Sequence, residues 1–103
     1  MSLKWITVLP VDEVPAGSYQ VVTVNFLSIL VGNSQGNYFA LENICSHDGG
    51  ELDGGDLEGE EVICPRHGAG FCVKTGAVTR PPAYEEIRRF PVRVEQGEIQ
   101  VQV

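Results

Sequence analysis

The chain has 103 residues, 43% of them apolar, and a formal net charge of −7. That length suits one domain (residues 1–103) with one modest core. The acidic balance disfavours nucleic acid and anionic membranes as partners, and no stretch reaches the ~20 apolar residues of a membrane span. Three cysteines, with no disulfide spacing, point to a reducing cytoplasm. The opening segment is no secretory signal, because Thr7 and Pro10 break its short apolar run. Residues 1–3 are compatible with a cloning remnant. Residues 5–9 read as a first strand and 11–17 as a turn, punctuated by Pro15 and Gly17. Two β-branched runs follow at 20–24 and 27–31, joined near Asn25. Gly32 to Gly36 reads as a hairpin turn, and 38–41 as the returning strand. From 43 to 82 the chain is rich in glycine, with strands expected only at 62–64 and 71–74. After Pro82, alternation resumes. Phe90, Val92 and Val94 share one expected strand face, and Ile99, Val101 and Val103 another. No helical period persists for three turns. The expected architecture is all-β: a base built from both ends of the chain, with a subdomain inserted at about 43–82.

Chemistry concentrates in that insert. It holds Cys45-Ser-His47 and Cys64-Pro-Arg-His67, with sixteen residues between the pairs, and these are the only two histidines of the chain. Two thiolates and two imidazoles suit a [2Fe–2S] cluster in which cysteines hold one iron and histidines the other. A Cys₂His₂ zinc site is the chemical rival. Zinc fingers, however, pair cysteine with cysteine on a knuckle and histidine with histidine on a helix. Here each loop supplies one of each, and His67 runs into Gly-Ala-Gly, a poor helix start. Between the pairs lie Asp48, Glu51, Asp53, Asp56, Glu58, Glu60 and Glu61, half of the 14 acids. The plain reading is a solvated loop; the sharper one is a steering patch for a basic redox partner. Asp48 reads as solvated, with a partner contact or a mild tuning of His47 as the functional alternative; Arg66 reads as exposed, with partner recognition as its alternative, and Cys72 as a small buried thiol.

The run Cys45-x-His47-x₁₆-Cys64-x₂-His67-Gly68, continued by Phe71, Thr75 and Gly76, closely resembles the Rieske signature. The segment from Cys64 to Gly76 is similar to the ferredoxin components of bacterial aromatic-ring dioxygenases. The resemblance implies the Rieske fold, of three small antiparallel sheets with the cluster at one tip. It implies that Cys45 and Cys64 bind the inner iron. His47 and His67 would bind the outer iron through Nδ1, under a proline loop at Pro81-Pro82. Membrane-bound respiratory relatives carry a disulfide between the cluster loops, at positions matching Gly50 and Arg66 here. They also carry hydroxyl donors to cluster sulfur where this chain has Ala69 and Phe71. Losing such donors lowers the potential, so a value near the low end of the Rieske range, about −150 mV, is expected.

The resemblance therefore implies a soluble one-electron carrier rather than an enzyme. A flavin-dependent NAD(P)H ferredoxin reductase would load its [2Fe–2S] cluster. A terminal oxygenase of aromatic hydrocarbon catabolism would receive the electron. A small Rieske-like subunit of an assimilatory nitrite reductase is the alternative, and a structural zinc interaction module is an alternative of another class.

Overall fold

Each short alternating run in the sequence becomes an antiparallel strand in the computed structural model, which describes residues 4–103. Residues 1–3, and the cloning-remnant reading placed on them, lie outside the described residues. The order is β1 (Trp5–Pro10), a 3-10 turn (Val11–Glu13), β2 (Ser18–Val24), β3 (Leu27–Ser34) and β4 (Asn37–Glu42). Then come β5 (Asp56–Glu58), β6 (Glu61–Ile63), β7 (Gly70–Cys72), β8 (Val78–Arg80), β9 (Val92–Glu95) and β10 (Glu98–Gln102). No α-helix occurs among the described residues, and none of their helices is long and apolar enough to cross a membrane. The fold class is all-β, as expected.

Three small antiparallel sheets result. The first, in the order β1-β10-β9, ties the two ends together, with Ile6 opposite Val101. The second is the meander β2-β3-β4. The third, β5-β6-β7-β8, comes entirely from the stretch between Asp56 and Arg80.

The middle sheet organises the packing. Successive strand residues point to opposite faces. Ile29, Val31 and Ala40 therefore meet Val14, Phe90, Ile99 and Val101 in one core. Leu30, Phe39 and Leu41 face the other way, toward Leu52, Val62, Phe71, Val73 and Ile87 in a second core. Strand β3 is covered on both faces, which is why 29–31 reads as a continuous apolar run rather than an alternating one. Both cysteine sulfurs of the paired motifs border the second core, as Cys45 and Cys64 belong to it.

Three expectations are corrected. Gly32 lies inside β3 and faces Phe39 of β4, while the turn itself is Gln35-Gly36, both at positive φ. A Cβ at Gly32 would lie 2.2 Å from the Phe39 ring, so this glycine makes room for an aromatic ring and forms no part of the turn. Strands β5 and β8 were not expected, because three residues of mixed polarity carry no readable period. Phe90 is buried but lies before β9, whose Val92 and Val94 do share one face, opposite Val101 and Ile99, with Val94 44% exposed on this edge strand.

Candidate metal centre

The two paired motifs fold into near-identical loops. In the first, the Cys45 amide donates to the Gly50 carbonyl (2.7 Å) and the Gly49 amide to the Cys45 carbonyl (2.8 Å). In the second, the Cys64 amide donates to Ala69 (2.7 Å) and the Gly68 amide to Cys64 (3.1 Å). Gly49 and Gly68 take φ of 76° and 77°, a left-handed conformation that a Cβ disfavours. The shared pattern is Cys-x₃-Gly. Its one difference is where the histidine falls, at the second position after Cys45 and the third after Cys64.

This geometry sorts the four side chains by depth. Cys45 and Cys64 are 0% and 1% exposed, whereas His47 and His67 are exposed. The imidazole rings stand edge to face, 5.1 Å between centroids. The thiol sulfurs of Cys45 and Cys64 lie within 4.8 Å of each other, as do donor nitrogens of His47 and His67. Thiols and imidazoles thus gather as two groups, and Asp48 is the residue common to both. Burial, and next to it the Cys64 thiol, raise the Cys45 thiol, while the amides of His47 and Asp48 hydrogen-bond its sulfur and oppose that rise. Amide donors aimed at a sulfur are what a thiolate ligand needs in an apolar surround.

A single tetrahedral ion would need two sulfurs and two nitrogens in one shell. A buried sulfur pair with an exposed imidazole pair instead matches a two-iron rhomb with unlike ends. The donor set therefore fits a [2Fe–2S] group.

Several residues that hold the loops were misread or missed in the sequence. Asp48 is not a freely solvated acid. Arg66 grips it with two nitrogens, at 2.6 and 3.0 Å, and the Gly50 amide also donates to it. The Arg66 guanidinium and these hydrogen bonds hold the Asp48 carboxyl well below the usual carboxylate range. Arg66 is exposed as expected, yet engaged. Buried Asn43 accepts from the amides of Leu52 and Asp53 and donates to Ser28 and Glu51. Nothing in the sequence distinguishes this asparagine from a turn residue.

Cys72 is half-buried rather than buried. It opens a third Cys-x₃-Gly loop: its amide donates to Ala77 (2.8 Å), Gly76 donates back to it (2.7 Å), and Gly76 has φ of 81°. Burial would raise its thiol, but the Thr75 hydroxyl and the amides of Lys74 and Thr75 together bring it down. The spacing Cys72 to Gly76 repeats Cys45 to Gly49 and Cys64 to Gly68, a signal present in the sequence. The third loop has no histidine.

Beyond Pro82, buried Ala83 and Ile87 anchor a segment that leaves Tyr84 90% exposed. The Ser46 hydroxyl, beside His47, donates to the Glu85 carbonyl at 2.5 Å, so this segment borders the first loop.

Four of the seven acids between the ligand pairs meet a cation. Lys74 meets Glu60, Arg80 meets Glu58 and Glu61, and Arg66 meets Asp48. The steering reading must therefore rest on fewer acids than the count suggests.

A family model described as the Rieske [2Fe-2S] domain matches residues 4–91. The chain is 31% identical over 103 residues to the ferredoxin component of the naphthalene 1,2-dioxygenase/salicylate 5-hydroxylase systems of Ralstonia sp., covering 100% of this chain and 99% of that one. It is 37% identical over 92 residues to the biphenyl dioxygenase ferredoxin subunit of Pseudomonas sp. strain KKS102, covering 88% and 84%. Among solved structures, a complex of reduced oxygenase and oxidized ferredoxin in carbazole 1,9a-dioxygenase contains a chain of the same shape. There the TM-score is 0.89 at 30% identity, over 94% of this chain and 91% of that one. With two like loops presenting a buried sulfur pair and an exposed imidazole pair, and with these relatives matched nearly end to end, the chain belongs to the Rieske [2Fe-2S] family.

Proposed function

We propose that Cys45 and Cys64 hold the inner iron and His47 and His67 the outer iron of one [2Fe–2S] cluster, within a cluster-binding subdomain spanning about 43–82 of a single domain. The observation that carries the assignment is the separation of the donors into a buried sulfur pair and an exposed nitrogen pair. The cluster supplies reversible one-electron chemistry. The protein's part is positional. The loops bury both sulfurs against Leu52, Val62 and Phe71 and keep water from them. The same loops leave the two imidazole edges exposed, so the electron enters and leaves through His47 and His67.

The chain is an electron carrier, not a catalytic subunit. The named relatives serve aromatic dioxygenase systems. On that basis the donor is a flavin-dependent NAD(P)H reductase, the acceptor is a terminal oxygenase, and the compartment is the cytoplasm. Iron and sulfide analysis with reduced-state EPR tests the ligand set. Two iron and two labile sulfides per chain are expected, with an average g value below that of four-cysteine clusters. One zinc and no sulfide would overturn the assignment.

A further inference from the structure

Arg66 stands on the second ligand loop, between Pro65 and His67, yet its guanidinium belongs to the first. Nε donates to Asp48 Oδ2 at 2.6 Å, Nη2 to Asp48 Oδ1 at 3.0 Å, and Nη1 to the Glu51 carbonyl at 2.7 Å. Apart from the contact between the two thiols, these are the only hydrogen bonds joining 45–51 to 64–69 among the described residues. The guanidinium lies close to Gly50. A Cβ there would come within 2.8 Å of Cζ and Nη2 of Arg66. The Gly50 amide also donates to Asp48 Oδ1 at 2.9 Å, so the carboxylate shapes its own loop while it receives the other. Two parallel bonds from a planar fork fix relative orientation in a way a lysine point charge cannot.

The position of the carboxylate matters as much as its partner. Asp48 Oδ2 lies 3.6 Å from His67 Nδ1, and donor atoms of His47, Asp48 and His67 all fall within 4.8 Å of one another. A bare negative charge here would favour the oxidised, more positive state of the neighbouring metal. The Arg66 cation beside it cancels most of that field.

We propose that Asp48 and Arg66 are positioning residues with two linked tasks: a non-covalent cross-link that holds the ligand loops together, and a mutually neutralised charge pair beside the outer iron. This rests on the ligand assignment proposed above. The tasks separate by substitution, because the link needs both side chains whereas the field depends on net charge.

The test uses the cluster-loaded protein and the variants Arg66→Gln, Asp48→Asn, the double variant and Arg66→Lys. Midpoint potential is measured by dye-coupled titration, and cluster loss by bleaching of visible circular dichroism in the presence of an iron chelator. Arg66→Gln should lower the potential and Asp48→Asn raise it, each severalfold in the one-electron equilibrium constant. The double variant should return to the wild-type potential while bleaching about as fast as the faster single variant, since the link breaks only once. Arg66→Lys should keep the wild-type potential and still bleach faster. If Arg66→Gln fails to load, the double variant and Arg66→Lys still pair an unchanged potential with faster loss. Single-variant shifts of the same sign, or bleaching unchanged in all variants, would overturn the proposal. A wild-type protein lacking iron and sulfide would instead overturn the ligand assignment.

Discussion

The Tyr19 hydroxyl, on β2 of the middle sheet, donates to the Gly55 carbonyl at 2.8 Å and accepts from the Gly54 amide at 3.0 Å. One side chain of the base thus holds the turn that leads into β5 and the third sheet. Tyr19→Phe keeps the ring and removes both bonds. The expected cost is about 1–2 kcal/mol, the usual range for hydrogen bonds whose partners lose them. Denaturant unfolding of the loaded protein measures it. An unchanged midpoint would mean that water fully replaces the hydroxyl.

Asn43 makes a second tie of the same kind. Its carbonyl oxygen accepts from Leu52 and Asp53, and its amide nitrogen donates to Ser28 of β3 and to Glu51. Asn43→Ala strips a buried site of four bonds and leaves the Leu52 amide without a partner. A loss of roughly 2–4 kcal/mol is expected, in the range for a broken buried network. Faster cluster loss should accompany it, because Asn43 stands two residues before Cys45. Asn43→Asp keeps the acceptor and should lose less; equal losses would deny the amide acceptance its role.

How legible the molecule is in its sequence depends on the range of the interaction. Cys45, His47, Cys64 and His67 stand out as candidate ligands because metal chemistry restricts both residue type and local spacing. The strand from 98 to 102 shows because one face is buried and the other is not, with period 2, whereas β3 shows as a continuous apolar run because both its faces are covered. Three-residue strands such as β5 and β8 cannot show a period. Gly32 reads as a turn because glycine serves both turns and close packing, and only the partner strand, bringing Phe39 opposite, decides between them. Asp48 reads as solvated because its partner Arg66 is 18 residues away. Arg80 and Glu61 pair across the third sheet at a similar separation of 19 residues. Charge counts along the chain cannot register such pairs.

Cys72 shares its loop geometry with Cys45 and Cys64, the proposed ligands, but not their depth or a nearby histidine. Cys72→Ser should therefore load a full cluster with an unchanged visible spectrum, while Cys45→Ser and Cys64→Ser should load none. Serine can keep the hydrogen bond to Thr75, so the third loop should stay intact. A folded but colourless Cys72→Ser protein would mean that the third loop, and not only the first two, serves the cluster.

Ala69 and Phe71 are both fully buried and carry no hydroxyl. The resemblance to the membrane-bound respiratory relatives implies hydroxyl donors at these positions there, and a donor to sulfur stabilises the negative charge added on reduction. Ala69→Ser, the smaller change, should raise the midpoint potential by tens of millivolts, where ~59 mV is tenfold in a one-electron equilibrium. Protein-film voltammetry measures the shift directly. An unmoved potential, with the serine hydroxyl shown to reach sulfur, would refute the electrostatic account.

Docking charge should come from acids that the protein has not already neutralised. Asp48, Glu58, Glu60 and Glu61 each face an arginine or lysine. Glu51 accepts from the uncharged Asn43 amide and so keeps its charge. Among the described residues, Asp12, Glu13, Glu51, Asp53, Asp56, Glu85, Glu86 and Glu98 are exposed and in no ion pair, and of these Glu51, Asp53 and Asp56 lie between the ligand pairs. Glu85 also borders the imidazole loop, since its carbonyl receives Ser46. If these acids steer, their unscreened field should reach a basic partner before contact and raise the encounter rate. Added salt shortens that reach, with a Debye length of about 8 Å at physiological ionic strength. Charge reversal at Glu85 or Asp53 should therefore slow second-order electron transfer several-fold at low salt, flatten its ionic-strength dependence, and leave the cluster potential unmoved. Reversal at Glu60, already paired with Lys74, should do less. Stopped-flow rates with the reductase and with the oxygenase, taken across ionic strength, decide the matter. A wild-type rate that ignores salt with both partners would mean that these carboxylates solvate the surface and do not steer.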